Sequence, residues 1–116
     1  MNIKKMQEFY RDFVEKRDWK EFHSPKNLSM ALSVEASELV EIFQWLSEKQ
    51  SWNIKDHPEK LIAVQDEMAD IFSYLIRLSD VLEMDLEKAF WDKFQKNAEK
   101  YPLEKSKEIA QKIRDL

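Results

Sequence analysis

Apolar residues at Ile3, Met6, Phe9, Tyr10, Phe13 and Val14 recur with the spacing of one helical face, and charges fill the positions between them. The pattern predicts an amphipathic first helix from Ile3 to Lys16. It fades through Arg17-Asp18-Trp19-Lys20-Glu21-Phe22-His23. Ser24-Pro25 then reads as an N-cap followed by proline at the first helical position. The second helix is expected from Pro25 to about Glu48 and is apolar on more than one face, as suits a bundle interior or a subunit interface. Lys49 to His57 reads as a loop. Pro58 restarts a helix that carries to Asp80–Glu83, and Asp85 looks like the cap of a fourth, which ends near Tyr101 before Pro102. A weak last helix is expected around Ile109 and Ile113. The reading is an all-α, four-helix-bundle-type domain over residues 1–102 with a C-terminal helical tail over 103–116.

Composition sharpens this picture. The 116 residues suit one small domain, and 43% hydrophobic residues suffice for a core. There is no glycine, which disfavours phosphate-cradling loops and dinucleotide fingerprints. The net charge of −4, without a basic run, disfavours DNA or RNA as a partner. There is no cysteine, hence no thiolate metal site. No apolar run reaches a membrane span, and no signal core follows the N-terminal residues. A cytoplasmic protein is expected.

Two short stretches conflict with ordinary core design. Glu35-Ala36-Ser37-Glu38 and Glu67-Met68-Ala69-Asp70 each place two carboxylates three residues apart, on one side of a helix. Apolar residues lie one turn away: Ala31 and Leu39 flank Glu35, and Ala63 and Ile71 flank Glu67. Acids among such neighbours are costly without a cation. An all-oxygen set suits Mg²⁺, with Mn²⁺ as the alternative. A di-iron bundle expects Glu-x-x-His pairs, and neither stretch has them. Mg²⁺ commonly shares its shell with substrate phosphates, which points to a nucleotide phosphohydrolase.

The acids sit within a longer pattern. Arg17-Asp18-Trp19-x-x-Phe22-His23-x-Pro25-Lys26-Asn27-Leu28, Ala31-Leu32, Glu35, Glu38-Leu39, Phe43-Gln44-Trp45, Glu67-x-x-Asp70-x-x-x-Tyr74-Leu75 and Lys93-x-x-x-Asn97-x-x-x-Tyr101-Pro102 occur in order over Met6 to Pro102. Together they resemble the MazG-like superfamily of nucleoside triphosphate pyrophosphohydrolases, and within it the dCTP pyrophosphatase branch. The resemblance implies Mg²⁺-dependent cleavage between the α- and β-phosphates of a (deoxy)nucleoside triphosphate, giving the monophosphate and pyrophosphate. It implies Glu35, Glu38, Glu67 and Asp70 as metal ligands. Glu41, three residues after Glu38, is a candidate to orient or deprotonate the attacking water; an exposed helix acid is the plain alternative.

Lys93, Asn97 and Tyr101 follow one another at helical spacing and, by the resemblance, contact triphosphate and sugar. Trp19, Trp45 and Tyr74 are candidates to wall a base pocket, although core packing is the commoner fate of aromatics. Trp45 falls four residues after Glu41 and shares its face if the helix runs on. His23, in the loop before the second helix, can donate to phosphate or base. One position departs from the dCTP branch: nine residues before Trp19, where that branch carries His, this chain has Tyr10. A homo-oligomer is expected, by the resemblance a tetramer built as a dimer of dimers. The competing readings are a dUTPase-like or phosphoribosyl-ATP pyrophosphohydrolase-like enzyme, and a non-catalytic helical interaction module.

Overall fold

The computed structural model describes residues 1–116, with six helices and no strand: α1 (Ile3–Lys16), α2 (Pro25–Phe43), α3 (Glu48–Trp52), α4 (Pro58–Val81), α5 (Leu86–Lys100) and α6 (Leu103–Arg114). The chain is all-α, as expected. By packing it divides into two units, Met1–Met84 and Asp85–Leu116.

Local chemistry sets most of the helix ends. Asn2 caps α1 by accepting the Lys5 amide at 2.9 Å. Ser24 caps α2 through the Asn27 amide, and Pro25 opens that helix with its fixed φ. Asp85 caps α5 through the Lys88 amide. The second helix is shorter than the apolar run predicts: it ends at Phe43, not near Glu48. The reason is Ser47, whose hydroxyl accepts the Gln50 amide while the Gln50 side chain accepts the Ser47 amide. That reciprocal capping box starts α3 and leaves Gln44–Leu46 as a turn. The stretch expected to be a loop is therefore α3 followed by a 3₁₀ turn over Asn53–Asp56.

In the first unit, α4 is the central element: both α2 and α1 pack against it, α2 the more extensively. The buried apolar side chains are Val14, Leu28, Ile54, Val64 and Ile76, one or two from each packed segment. Each full burial stabilises by about 1.5–3 kcal/mol. Two polar ties add direction: Gln7 donates to the Ser79 hydroxyl at 2.9 Å, and Arg11 grips Asp80 with two bonds, at 3.0 and 2.6 Å. Gln7, Arg11 and Val14 lie on one stripe of α1, so that stripe fixes the α1–α4 register. The broadly apolar α2 buries only Leu28, and Met30, Val34 and Val40 stay more than half exposed. Its several apolar faces are thus not consumed within one chain.

In the second unit, Phe90, Trp91 and Phe94 of α5 pack on one another, with Phe90 and Phe94 stacked at 6.1 Å. The tail forms a full helix, α6, with Pro102 at its N-cap position.

A chain without glycine still needs left-handed residues. Asp18 and Glu83 both have φ of 55°. Each follows a helix end and closes a Schellman motif: the Trp19 amide reaches Val14 O and the Met84 amide reaches Ser79 O. The apolar contact that accompanies such motifs is present at the first, where Trp19 meets Phe13 edge-on at 5.7 Å. Aspartate tolerates this backbone better than glutamate does. Glu83→Gly should therefore stabilise the protein by about 1 kcal/mol. A lower or unchanged denaturation midpoint in that variant would count against strain at this helix end.

Candidate metal and nucleotide site

The α2–α4 contact brings Glu35, Glu38 and Glu67 together. Each offers a carboxylate oxygen, and these oxygens lie within 4.8 Å of one another. All three side chains are half-buried. One oxygen of Glu35 and one of Glu67 are buried without any hydrogen-bond donor. Unpaired buried acceptors are uncommon and costly. The chain supplies no lysine or arginine to these three acids; its ion pairs lie elsewhere.

The metal-free chain has one remedy, a retained proton. The Glu35 carboxyl is pushed up to about 7, first by hydrogen bonding with Glu67, then by burial, then by the bond to and charge of Glu38 and the charge of Asp70. A divalent cation is the other remedy. Three converging carboxylates with orphaned oxygens fit a hard cation that takes oxygen ligands, and this cluster could hold one.

Asp70 stands outside the group of three. It is exposed, although its charge still reaches Glu35 and Tyr10. Glu41 is exposed on α2, one turn beyond Glu38. Trp45 is 87% exposed and lies past the end of α2, so it does not share a helix face with Glu41 as its position in sequence suggests. Trp19 is held by the α1 end through Phe13 and is 43% exposed. Tyr74 is half-buried on α4, one turn beyond Asp70. Burial, Tyr74 and Asp70, in that order, raise the Tyr10 hydroxyl, which keeps it a neutral donor. Lys93 and Asn97 are exposed one turn apart on α5, and Tyr101 is the residue that ends it.

His23 has the most definite surroundings. It ends the 3₁₀ turn Lys20–Phe22, just before the Ser24 cap, and its Nδ1 accepts the Arg77 Nε–H at 3.2 Å. Arg77 is 3% exposed and also donates Nη1 to Asp80 at 3.1 Å. Burial and then the neighbouring guanidinium hold His23 below its ordinary value. Arg11, by hydrogen bonding foremost, holds Asp80 below the usual carboxylate range. Arg77, Asp80 and Arg11 are absent from the sequence-based candidates. The available signal was a single arginine inside the apolar run Ile71 to Val81.

These shifts fix a pH dependence. Glu35 keeps its proton to about 7 when folded but only to its ordinary 4.5 when unfolded. Between those values the folded chain binds more protons, so its stability falls as pH rises. Asp80 acts oppositely: its contribution is complete above the ordinary carboxylate range and is lost on acidification below it. Metal-free protein in a chelator should therefore lose thermal stability as pH rises from 4.5 to about 7. Glu35→Gln should flatten that decline. A wild-type midpoint that is level across the window, or a decline that survives Glu35→Gln, would contradict this electrostatic account.

Residues 30–116 match the MazG-like family. The chain is 34% identical to rat dCTP pyrophosphatase 1 over 114 residues, covering 98% of this chain and 67% of that protein. It is 31% identical to human dCTP pyrophosphatase 1 over 118 residues, with the same coverage. The crystal structure of a pyrophosphatase from Archaeoglobus fulgidus superposes with a TM-score of 0.77 at 36% identity, covering 85% of this chain and 91% of that one. The family match spans both acid pairs and the helices that bring the three glutamates together, and on this footing the chain belongs to the MazG-like family.

Proposed function

We propose that this nucleotide pyrophosphohydrolase uses Mg²⁺ to cleave the α–β phosphoric anhydride of a (deoxy)nucleoside triphosphate, dCTP-like in its base, giving the monophosphate and pyrophosphate. The observation that carries the reading is the meeting of Glu35, Glu38 and Glu67 with oxygens left unpaired. Its direction comes from relatives named dCTP pyrophosphatase 1 and a structural neighbour named a pyrophosphatase.

In this reading Glu35, Glu38, Glu67 and Asp70 would hold the cation. Mn²⁺ can replace Mg²⁺ on the same oxygens. Once bound there, the cation would neutralise phosphate charge and polarise the phosphoryl oxygens. Glu41 takes the proton of the attacking water, which forms the new P–O bond as the anhydride P–O bond breaks. Lys93 offers a point charge to phosphate, and Asn97 both a donor and an acceptor to phosphate or sugar. Trp19, Trp45, Tyr74 and Tyr101 supply aromatic faces for the nucleoside, and His23 a donor. Tyr10, a hydroxyl where the dCTP branch has an imidazole, bears on the base.

The reading includes a homo-oligomer, a tetramer built as a dimer of dimers. Exposed Phe9, Met30, Val34, Val40, Ile62 and Met68 support it, because one chain leaves these residues without cover.

The test is a panel of canonical and modified nucleoside triphosphates incubated with Mg²⁺, with products separated. Monophosphate and pyrophosphate should appear in equal amounts, with dCTP or a close analogue among the best substrates. Glu38→Ala should reduce kcat about a hundredfold or more, the equivalent of roughly 3 kcal/mol of transition-state stabilisation. Release of orthophosphate instead, or full activity in Glu38→Ala, would sink the reading. So would inertness of the wild type, which is what a non-catalytic interaction module predicts.

A further inference from the structure

Arg77 is the one charged side chain fully withdrawn from solvent, and no part of the cleavage chemistry uses it. A buried guanidinium is retained only where its donors are matched. Here Nη1 meets Asp80, and Asp80 is itself gripped by Arg11 of α1. The charge of Arg77 is therefore neutralised without help from His23. What the Arg77 Nε–H does at 3.2 Å from His23 Nδ1 is a separate matter.

Arginine has donors only. Its Nε–H can bond to Nδ1 only if that nitrogen carries a lone pair. The imidazole is then neutral, and its single proton is on Nε2. Protonating Nδ1 would break the bond and set a second cation against the guanidinium. The contact thus selects one tautomer and turns the ring so that the Nε2–H points away from Arg77. Bonding to Arg77 engages only Nδ1, and His23 is half-exposed.

The placement of this group along α4 gives it a use. Glu67, Asp70, Tyr74 and Arg77 follow at steps of three, four and three residues, so they form one stripe on that helix. Arg77 is ~15 Å along the axis from Glu67. The charges of Asp70 and Arg77 both reach the Tyr10 hydroxyl. A ligand whose phosphates are held at the acids and which extends along this stripe reaches the Arg77–His23 end.

We propose that Arg77 is a positioning residue for nucleotide recognition: through the Nε-to-Nδ1 hydrogen bond it holds His23 as an Nε2–H donor for an acceptor at the nucleoside end of the substrate. The proposal rests on the pyrophosphohydrolase reading above. Arg77 touches no substrate itself, and its whole effect passes through His23.

Two measurements on the full chain test it. The first is a two-bond ¹H–¹⁵N correlation spectrum of the imidazoles. Only His23 and His57 contribute, and His57→Gln assigns them. Wild-type His23 should show an unprotonated Nδ1 and a protonated Nε2. Arg77→Lys keeps a cation for Asp80 but lacks the planar Nε donor, and should give a mixture of tautomers. The second measurement is a kinetic cycle on the best triphosphate of the panel. Arg77→Lys and His23→Phe should each raise KM about tenfold, the worth of one hydrogen bond, with kcat within about twofold of wild type. The double variant should be no worse than either single one. Thermal midpoints identify any variant that has lost its fold, and for such a variant the wild-type spectrum and His23→Phe still decide. A proton on Nδ1 in the wild type, an unchanged tautomer in Arg77→Lys, or multiplying KM effects in the double variant would each overturn the proposal. If the wild type hydrolyses no nucleoside triphosphate, the recognition role falls with the pyrophosphohydrolase reading, and the two spectra still decide whether Arg77 sets the His23 tautomer.

Discussion

Three carboxylates meeting in a half-buried space without a counter-charge are the constraint on which the rest of the structure depends. Like charges at this separation repel, and desolvation adds to the cost. The fold holds them there because α2 packs against α4, and Leu28 of α2 and Val64 and Ile76 of α4 are buried in the first unit. Helices are stiff, so the acids cannot relax apart without losing that packing. Glu35 instead rises to about 7, a compromise available only to a metal-free chain. The most economical physical explanation of the cluster is that a divalent cation completes it.

Around this centre the chain spends its polar contacts on alignment. Gln7 to Ser79 and Arg11 to Asp80 pin α1 to α4. Arg77 and His23 pin the turn before α2 to the same helix. Helix α4 thus carries two polar groups on one stripe, the acids near its middle and the Arg77 group toward its end. Much apolar surface on α1 and α2 remains outside these contacts, with Phe9, Met30, Val34 and Val40 uncovered. A single chain builds the acid cluster without enclosing it.

The sequence is most legible where local chemistry decides. The period of α1, the Ser24-Pro25 start of α2, the Pro58 restart and the Asp85 cap all follow from residue type alone. The convergence of Glu35, Glu38 and Glu67 was also visible, since i, i+3 spacing among apolar neighbours leaves few other places for them. What was not legible depends on geometry between segments. The apolar run Leu39–Leu46 hides the helix end at Phe43, because only the Ser47–Gln50 exchange reveals it. That end removes Trp45 from the acids' helix face. Asp70, expected with the other acids, stands outside the group of three. The partner of Arg77 lies 54 residues away in sequence, beyond any periodicity argument.

The central claim is that the glutamate cluster is a divalent-cation site, and the most direct measurement is the binding of Mn²⁺ to the full chain, read from the loss of the free-ion signal in electron paramagnetic resonance. The account predicts saturable binding that Mg²⁺ displaces and that Glu35→Gln with Glu67→Gln abolishes in a folded protein. Binding that is absent in the wild type, or that survives the double substitution, would contradict it.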